Sequence, residues 1–422
     1  MKSHIYCGFM RFLFAEFAFF RSQKRNVKTL LVAMFLYFLT APLQSIFSCA
    51  YILRQTNSVK TMMWFLLSLY SAVPVVSWIV GRWMSRWGAE RMFAFGLALT
   101  GVSLYTLSLV NLSSIVAVSL VGAAIGVAIA FIWASHNYLV FVSTTDETRN
   151  YFQSLEMSFQ TFCSMLSSFA IGWFVSRVGT PEMSYKIVKG IALLLTGASA
   201  WFMVRDRFPL PRKPEFVFFH YTPLAWTLFR LAFLRGFTQL LASIVPVLLV
   251  FCVLRQNEFL LGKVQSLGAL VAGLLLYIVG RVAAPRHRIW LFIASALMYA
   301  LGACLNALLH TSGSAIFFIM VLLFFGPLAD MAYTTLYLRA ADQVAADEGR
   351  NSYTYIFAQE VFFYGGRVVT IGMFFAALHF SSEKIMTVAL PVLTLLHLLS
   401  IPIAWSLSKM EFPEGPQLPE SK

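Results

Sequence analysis

Charge is what this chain has least of. Only 12% of its 422 residues are Asp, Glu, Lys or Arg, and the acids number 18. Soluble domains carry about twice that fraction, ~25%, so a water-solvated globular surface is excluded over most of the length. Cysteine is also sparse. The five present, Cys7, Cys49, Cys163, Cys252 and Cys304, form no CxxC pair, and four lie inside apolar runs. An odd count in that setting argues against a disulfide framework and against a zinc site. The sequence has no G-x-x-x-x-G-K-[ST] stretch, which excludes an ATP-driven pump built from this chain alone. It has no His/Cys/Asp/Glu cluster at metal-ligand spacing and no nucleophile elbow, so neither a metal, a cofactor nor an enzyme is expected. A filter-like loop of the kind that makes an ion channel is missing too.

What fills the chain is apolar surface: 59% hydrophobic residues, 16% aromatic, and a mean hydropathy of +0.74. A single core cannot absorb this, because cores stop growing near ~250–300 residues. Lipid can, through helices of about 20 apolar residues. Such runs are predicted at 29–52, 61–81, 92–111, 114–142, 152–176, 187–204, 231–254, 261–280, 289–309, 314–338, 354–378 and 385–408. Continuous runs of this length exclude the short alternating strands of a membrane barrel. The expected fold class is therefore all-α integral membrane, with twelve transmembrane helices.

The net charge of +14 is read as topology rather than as a nucleic-acid surface. With both termini in the cytoplasm, the loops and tails on that side hold 21 basic residues and the other side 8. The loop with Arg177, Lys186 and Lys189 runs against the bias. The expected location is the cell's cytoplasmic membrane, multi-pass. Residues 1–28 are basic, and the apolar stretch Ile5–Phe20 carries Arg11 and Glu16. This reads as an interfacial helix and not a cleaved signal. Residues 205–230, with Pro209, Pro211, Pro214 and Pro223, read as a cytoplasmic linker, and 409–422 as a disordered tail. Two halves result, 29–204 and 231–408.

The halves repeat. Leu53-Arg54-Gln55 recurs as Leu254-Arg255-Gln256, and Ile79-Val80-Gly81-Arg82 as Ile278-Val279-Gly280-Arg281. Asp146-Glu147-Thr148-Arg149-Asn150 recurs as Asp347-Glu348-Gly349-Arg350-Asn351. Three ordered matches at nearly constant offset imply duplication of a six-helix unit, and six is even, so both copies insert in parallel.

The stretch after span 2 is Gly81-Arg82-Trp83-Met84-Ser85-Arg86-Trp87-Gly88-Ala89-Glu90-Arg91. It resembles the loop of the major facilitator superfamily, Gly-x-x-x-Asp-Arg-x-Gly-x-Arg-Arg. Gly81, Arg86, Gly88 and Arg91 match, Ser85 replaces the acid and Glu90 a base. The second copy keeps Gly280, Arg281 and a basic run. The resemblance covers roughly 29–408 and implies two parallel six-helix repeats that rock around a central site. It implies a cytoplasmic gate from Gly81, Arg82, Arg86, Gly88, Arg91, Gly280 and Arg281, with Asp146, Arg149, Asp347 and Arg350 from the acid-base loops. Asp146 and Asp347 are expected either to cap the following helices or to pair with neighbouring arginines. The alternative is that these arginines only fix topology.

Ionisable residues in spans are costly and mark function by default. Asp330 in span 10 and Glu360 in span 11 are predicted at similar depth. Arg367 lies seven residues beyond Glu360, on the same helical face. The three read as one cluster of net charge −1. It would couple proton movement to transport, hold an anionic substrate group through Arg367, or act as a structural ion pair. Further cavity candidates are Gln44, Trp133, His136, Asn137, Gln160 and Tyr333, while Glu156 reads as solvated or loop-paired. Span 5 lacks the glycine-proline signature and span 4 the membrane arginine of many drug/proton antiporters in the resembled superfamily.

The expected function is secondary active transport of a small organic solute by alternating access, coupled to protons. The expected partners are the lipid bilayer, the solute and the proton, with no nucleic acid, and the chain is expected to be a monomer. The alternatives are an exporter of amphipathic or lipid-like compounds, and a non-transporting membrane sensor or assembly partner.

Overall fold

The computed structural model describes residues 24–143, 146–209, 221–252, 258–282, 287–350 and 352–409. The interfacial segment up to residue 23, residues 210–220 of the linker, the Leu254-Arg255-Gln256 copy and nearly all of the tail lie outside them.

The described chain is helical throughout. The helices are α1 Arg25–Phe38, α2 Ala41–Gln44, α3 Ile46–Thr56, α4 Val59–Trp87, α5 Ala89–Thr106, α6 Ile115–Ser143, α7 Asp146–Arg177 and α8 Pro181–Val204. They continue as α9 Pro223–Gln239, α10 Leu241–Cys252, α11 Glu258–Val282, α12 Arg288–Leu309, α13 Ser312–Asp347 and α14 Ser352–Phe380. A π-helical turn, Ile385–Ala389, then leads into α15 Leu390–His397 and α16 Ser400–Ser408. Lipid leaves the backbone no other partner than itself, which is why the runs are helices. Their ends are written locally. Ser58, Thr180 and Thr222 each accept a hydrogen bond from the backbone three residues on, and Thr311 forms a reciprocal capping box with Ser314.

Among the described residues, nine helices are long and apolar enough to cross a bilayer, or ten when α1 with α2–α3, bent by 48°, counts as one broken span. The break falls beside Pro42. Helices α5 and α7 occupy the positions of the third and fifth expected spans but fall short of that measure. Helix α5 spends its first turn on Glu90 and Arg91, and α7 carries Glu156, Gln160 and a series of serines. Several boundaries need correction: helix α9 starts at Pro223, inside the expected linker. Helix begins at Arg25, inside the segment expected to lie in the interface. Helix α13 runs on to Asp347, nine residues past the expected end of its span. Tyr337, Ala340, Ala341, Val344 and Ala345 keep one face of that extension buried.

The helices before and after residue 210 form two sides. Three apolar clusters define how they meet. One lies wholly on the first side, from Val27 to Phe208, and a second wholly on the other, from Ala225 to Leu407. Both gather at the end of the molecule that holds the start of α1, the end of α16 and the Arg207–Pro209 segment; this is the terminal end. The third cluster takes residues from both sides, among them Phe47, Met62, Ile171, Leu248, Leu261 and Phe374, and fills the opposite, distal end. The core is thus continuous at the distal end and divided at the terminal end.

Candidate functional site

The distal seal is built by close approach of α7 and α11. A Cβ on Gly262 would lie 2.6 Å from the Ser168 carbonyl and 3.0 Å from the Gly172 Cα, so only glycine fits. Beside it Arg54 of α3 pairs with Glu258 of α11 across the two sides. Helix α4 meets α14 through Trp64 and Phe375, with ring centres 5.2 Å apart, and through the Tyr364 hydroxyl, which donates to Ser71 at 2.8 Å. Lys189, expected in a loop, is instead fully buried in α8, with its ammonium 3.5 Å from the centre of the Tyr51 ring.

Between the seal and the divided end lies a cavity of about 430 Å³. Broken helix 1 contributes Pro42 and Ser45, α7 Gln160 and Thr161, α10 Ser243, α11 Gln265, and α13 Pro327, Asp330 and Thr334. The freed turn at Pro42 is what lets the short α2 face the cavity. Of the lining residues only Asp330 is ionisable, and none is aromatic.

Asp330 does not join Glu360 and Arg367 as expected. Its Oδ1 accepts from Arg235 Nη2 of α9 at 2.5 Å, and Arg235 also donates to Thr238 at 2.6 Å. The guanidinium is sealed in protein, 2% exposed, while the carboxylate is 60% exposed. Glu360 and Arg367 do meet, at 3.8 Å, but the stronger partner of Arg367 is Gln239, reached from Nε at 2.8 Å and from Nη2. The Arg367 guanidinium also lies 5.0 Å from the Tyr70 ring of α4, so it sits where the sides touch. The expected cluster of net −1 is therefore two neutralised pairs. Arg235 was the missed residue. A lone arginine inside the apolar run 231–254 was the available signal, since a buried guanidinium demands a counter-ion.

The other candidates scatter. Gln160 lines the cavity. Gln44 turns into its own side, bonded to Tyr37 and Thr40. Tyr333 is buried against Phe363 and Tyr337, behind Asp330, and does not line the cavity. Trp133 and Asn137 are exposed away from it. His136 approaches Glu156 of α7 to 2.6 Å, both largely buried, which corrects the reading of Glu156 as solvated. The first side thus has a deep ionisable pair of its own.

Of the gate residues, Gly88 has φ +89°, a conformation that favours glycine, and the Glu90 carboxylate packs against it. Gly81 is buried; Arg82 lies over the Trp78 ring at 4.0 Å; Arg86 and Arg91 are exposed. The side chains of Asp146, Arg149, Gly280 and Arg281 lie outside what is described. Asp347 accepts from Gln343 in its own helix. Its neighbour Glu348 does the pairing, with Arg350 at 3.0 Å, with the Tyr355 hydroxyl and with the Thr222 backbone N–H. Partial burial pushes the Glu348 carboxyl up, but those hydrogen bonds and Arg350 together hold it below its usual value.

A cavity between two helical sides, sealed at one end, is the arrangement of a rocking transporter. The sequence profile of the Major Facilitator Superfamily matches residues 29–370. The chain belongs to that superfamily. It is a multi-pass membrane protein in a family of membrane transporters. Among curated proteins, this superfamily member is 23% identical to the uncharacterized protein YqgE of Bacillus subtilis over 160 residues, 38% of this chain and 37% of that one. It is also 23% identical to an uncharacterized protein in the sodM 3′ region of Geobacillus stearothermophilus over 197 residues, 47% of this chain and 92% of that one. The match thus spans little more than a third of YqgE.

Proposed function

We propose that the chain is a secondary active transporter that carries a small organic solute by alternating access, coupled to protons. The observation that carries the reading is the central cavity, set between a distal end with one continuous core and a terminal end where the core divides. Two sides that share contacts at one end and part at the other can exchange those roles by rocking, which moves the mouth of the cavity from one face of the bilayer to the other. Twelve spans in two parallel six-helix repeats, with α5 and α7 as polar-lined members, fit this reading. The terminal end is taken as cytoplasmic. Supporting this, Arg82, Arg205 and Lys409 there each sit over a tryptophan, at 4.0, 3.4 and 5.3 Å, as expected of a basic, aromatic-rich interface.

The proton is assigned to Glu360. Protonating Asp330 would strip the buried Arg235 of its counter-ion, which is costly. Glu360 is held only loosely, and Arg367 keeps Gln239 whichever state Glu360 adopts. The expectation is that reconstituted protein exchanges solute in counterflow, and that Glu360→Gln keeps this exchange but loses uphill accumulation under a pH gradient. If Glu360→Gln and Asp330→Asn both retain pH-driven accumulation, proton coupling through these sites is wrong.

A further inference from the structure

We infer that the cavity takes an amphipathic amine: a solute with an apolar body, an ammonium that carries N–H protons, and one acceptor oxygen. This rests on the transporter reading above. Asp330 is the single ionisable residue on the described lining, and its arrangement has a direction. Arg235, 2% exposed, lies behind it and binds Oδ1, so the charge that meets the cavity is the carboxylate, 60% exposed. An entering anion would meet that carboxylate before any guanidinium. An entering cation would gain a charge-assisted hydrogen bond.

The lining also defines the type of cation. None of its residues is Phe, Tyr or Trp, in a chain that has 41 Phe, 10 Trp and 16 Tyr. Quaternary ammonium groups are recognised by aromatic faces, which this cavity does not offer. A carboxylate rewards N–H donors instead. The opposite wall supplies the second contact. Gln265 of α11 is 6% exposed, lines the cavity, and its amide nitrogen has no hydrogen-bond partner among the described residues. A buried donor left unmade is costly, so a ligand acceptor there is rewarded. Between the two lie Ala269, Leu322, Leu323 and Met157, an apolar stretch for the body of the solute. The volume of about 430 Å³ falls in the range of small-molecule sites.

The test is calorimetric titration of the full chain in lipid nanodiscs with 6-amino-1-hexanol, its trimethylammonium analogue and 6-hydroxyhexanoate. The amine is expected to bind about tenfold or more tightly than either analogue. Gln265→Met should weaken the amino alcohol about fivefold but leave n-hexylamine, which lacks the oxygen, unchanged. Asp330→Asn should erase the preference for the amine. The inference is overturned if the carboxylate or the quaternary analogue binds as tightly as the amine, or if the amine does not bind. Counterflow with the same probes separates the two readings. Amine binding without exchange overturns transport and leaves the site standing. Exchange of the carboxylate in preference to the amine overturns the site and leaves transport standing.

Discussion

At the distal end an ion pair reaches across the molecule, from Arg54 to Glu258, and Gly172 lies against Gly262. At the terminal end the pairs stay at home: Arg25 with Asp206 at 2.8 Å on one side, Arg350 with Glu348 on the other. The difference separates contacts that must break for the cavity to change face from contacts that only stiffen a moving body. A rocking motion costs whatever joins the two sides, and here that cost is concentrated distally.

The strongest way to break this comparison is a wedge. Gly262→Leu drives a side chain into the Ser168 carbonyl, and overpacking of this kind costs about 1–3 kcal/mol. The distal end is expected to stand open, with counterflow reduced about tenfold and a cysteine placed at Ser58 labelled correspondingly faster by a membrane-impermeant thiol reagent. Unchanged labelling would show that the glycine contact does not set the seal. A smaller effect is expected from Arg54→Ala. Arg54 is 31% exposed at the mouth while Glu258 is 4% exposed, so the variant strands a buried carboxylate. A loss of about 1 kcal/mol of seal is expected, read as roughly fivefold faster labelling at the same cysteine.

The smallest effect belongs to the terminal end. The Glu348 carboxyl is held below its usual value of 4.5 in the folded protein. Its contribution is therefore fully present above pH 4.5 and is lost as pH falls through the lower, folded value. Hydrogen exchange at the start of α9, which Glu348 anchors through Thr222, should rise on acidification in that window, beyond the intrinsic pH dependence of exchange. Glu348→Gln should flatten the response without altering distal labelling. A change at the distal end would mean that the two ends are coupled through this contact.

Glu360 and Arg367 were legible as a pair because seven residues on one helix return to the same face, and helix periodicity is local. Gly88 was legible as a motif position, and the structure shows it as the turn between α4 and α5, at φ +89°. Arg235 with Asp330, His136 with Glu156, and Lys189 over Tyr51 were not, since each joins different helices and depends on how those helices rotate against one another. The end of α13 was misplaced for a related reason. Hydropathy marks where lipid ends, but α13 continues past that point because its buried face packs on protein.

The sequence by itself determined that this protein lives in a membrane, where most of its helices run, and which superfamily it joins. Those features follow from local rules: lipid allows no unpaired backbone, and proline and glycine act on their own turns. Only the tertiary structure decided which end is sealed, that Asp330 alone among the described residues charges the cavity wall, and that its arginine is hidden behind it. Those depend on contacts between residues far apart in the chain, such as Arg235 and Asp330, and no local pattern encodes the rotation that brings them together.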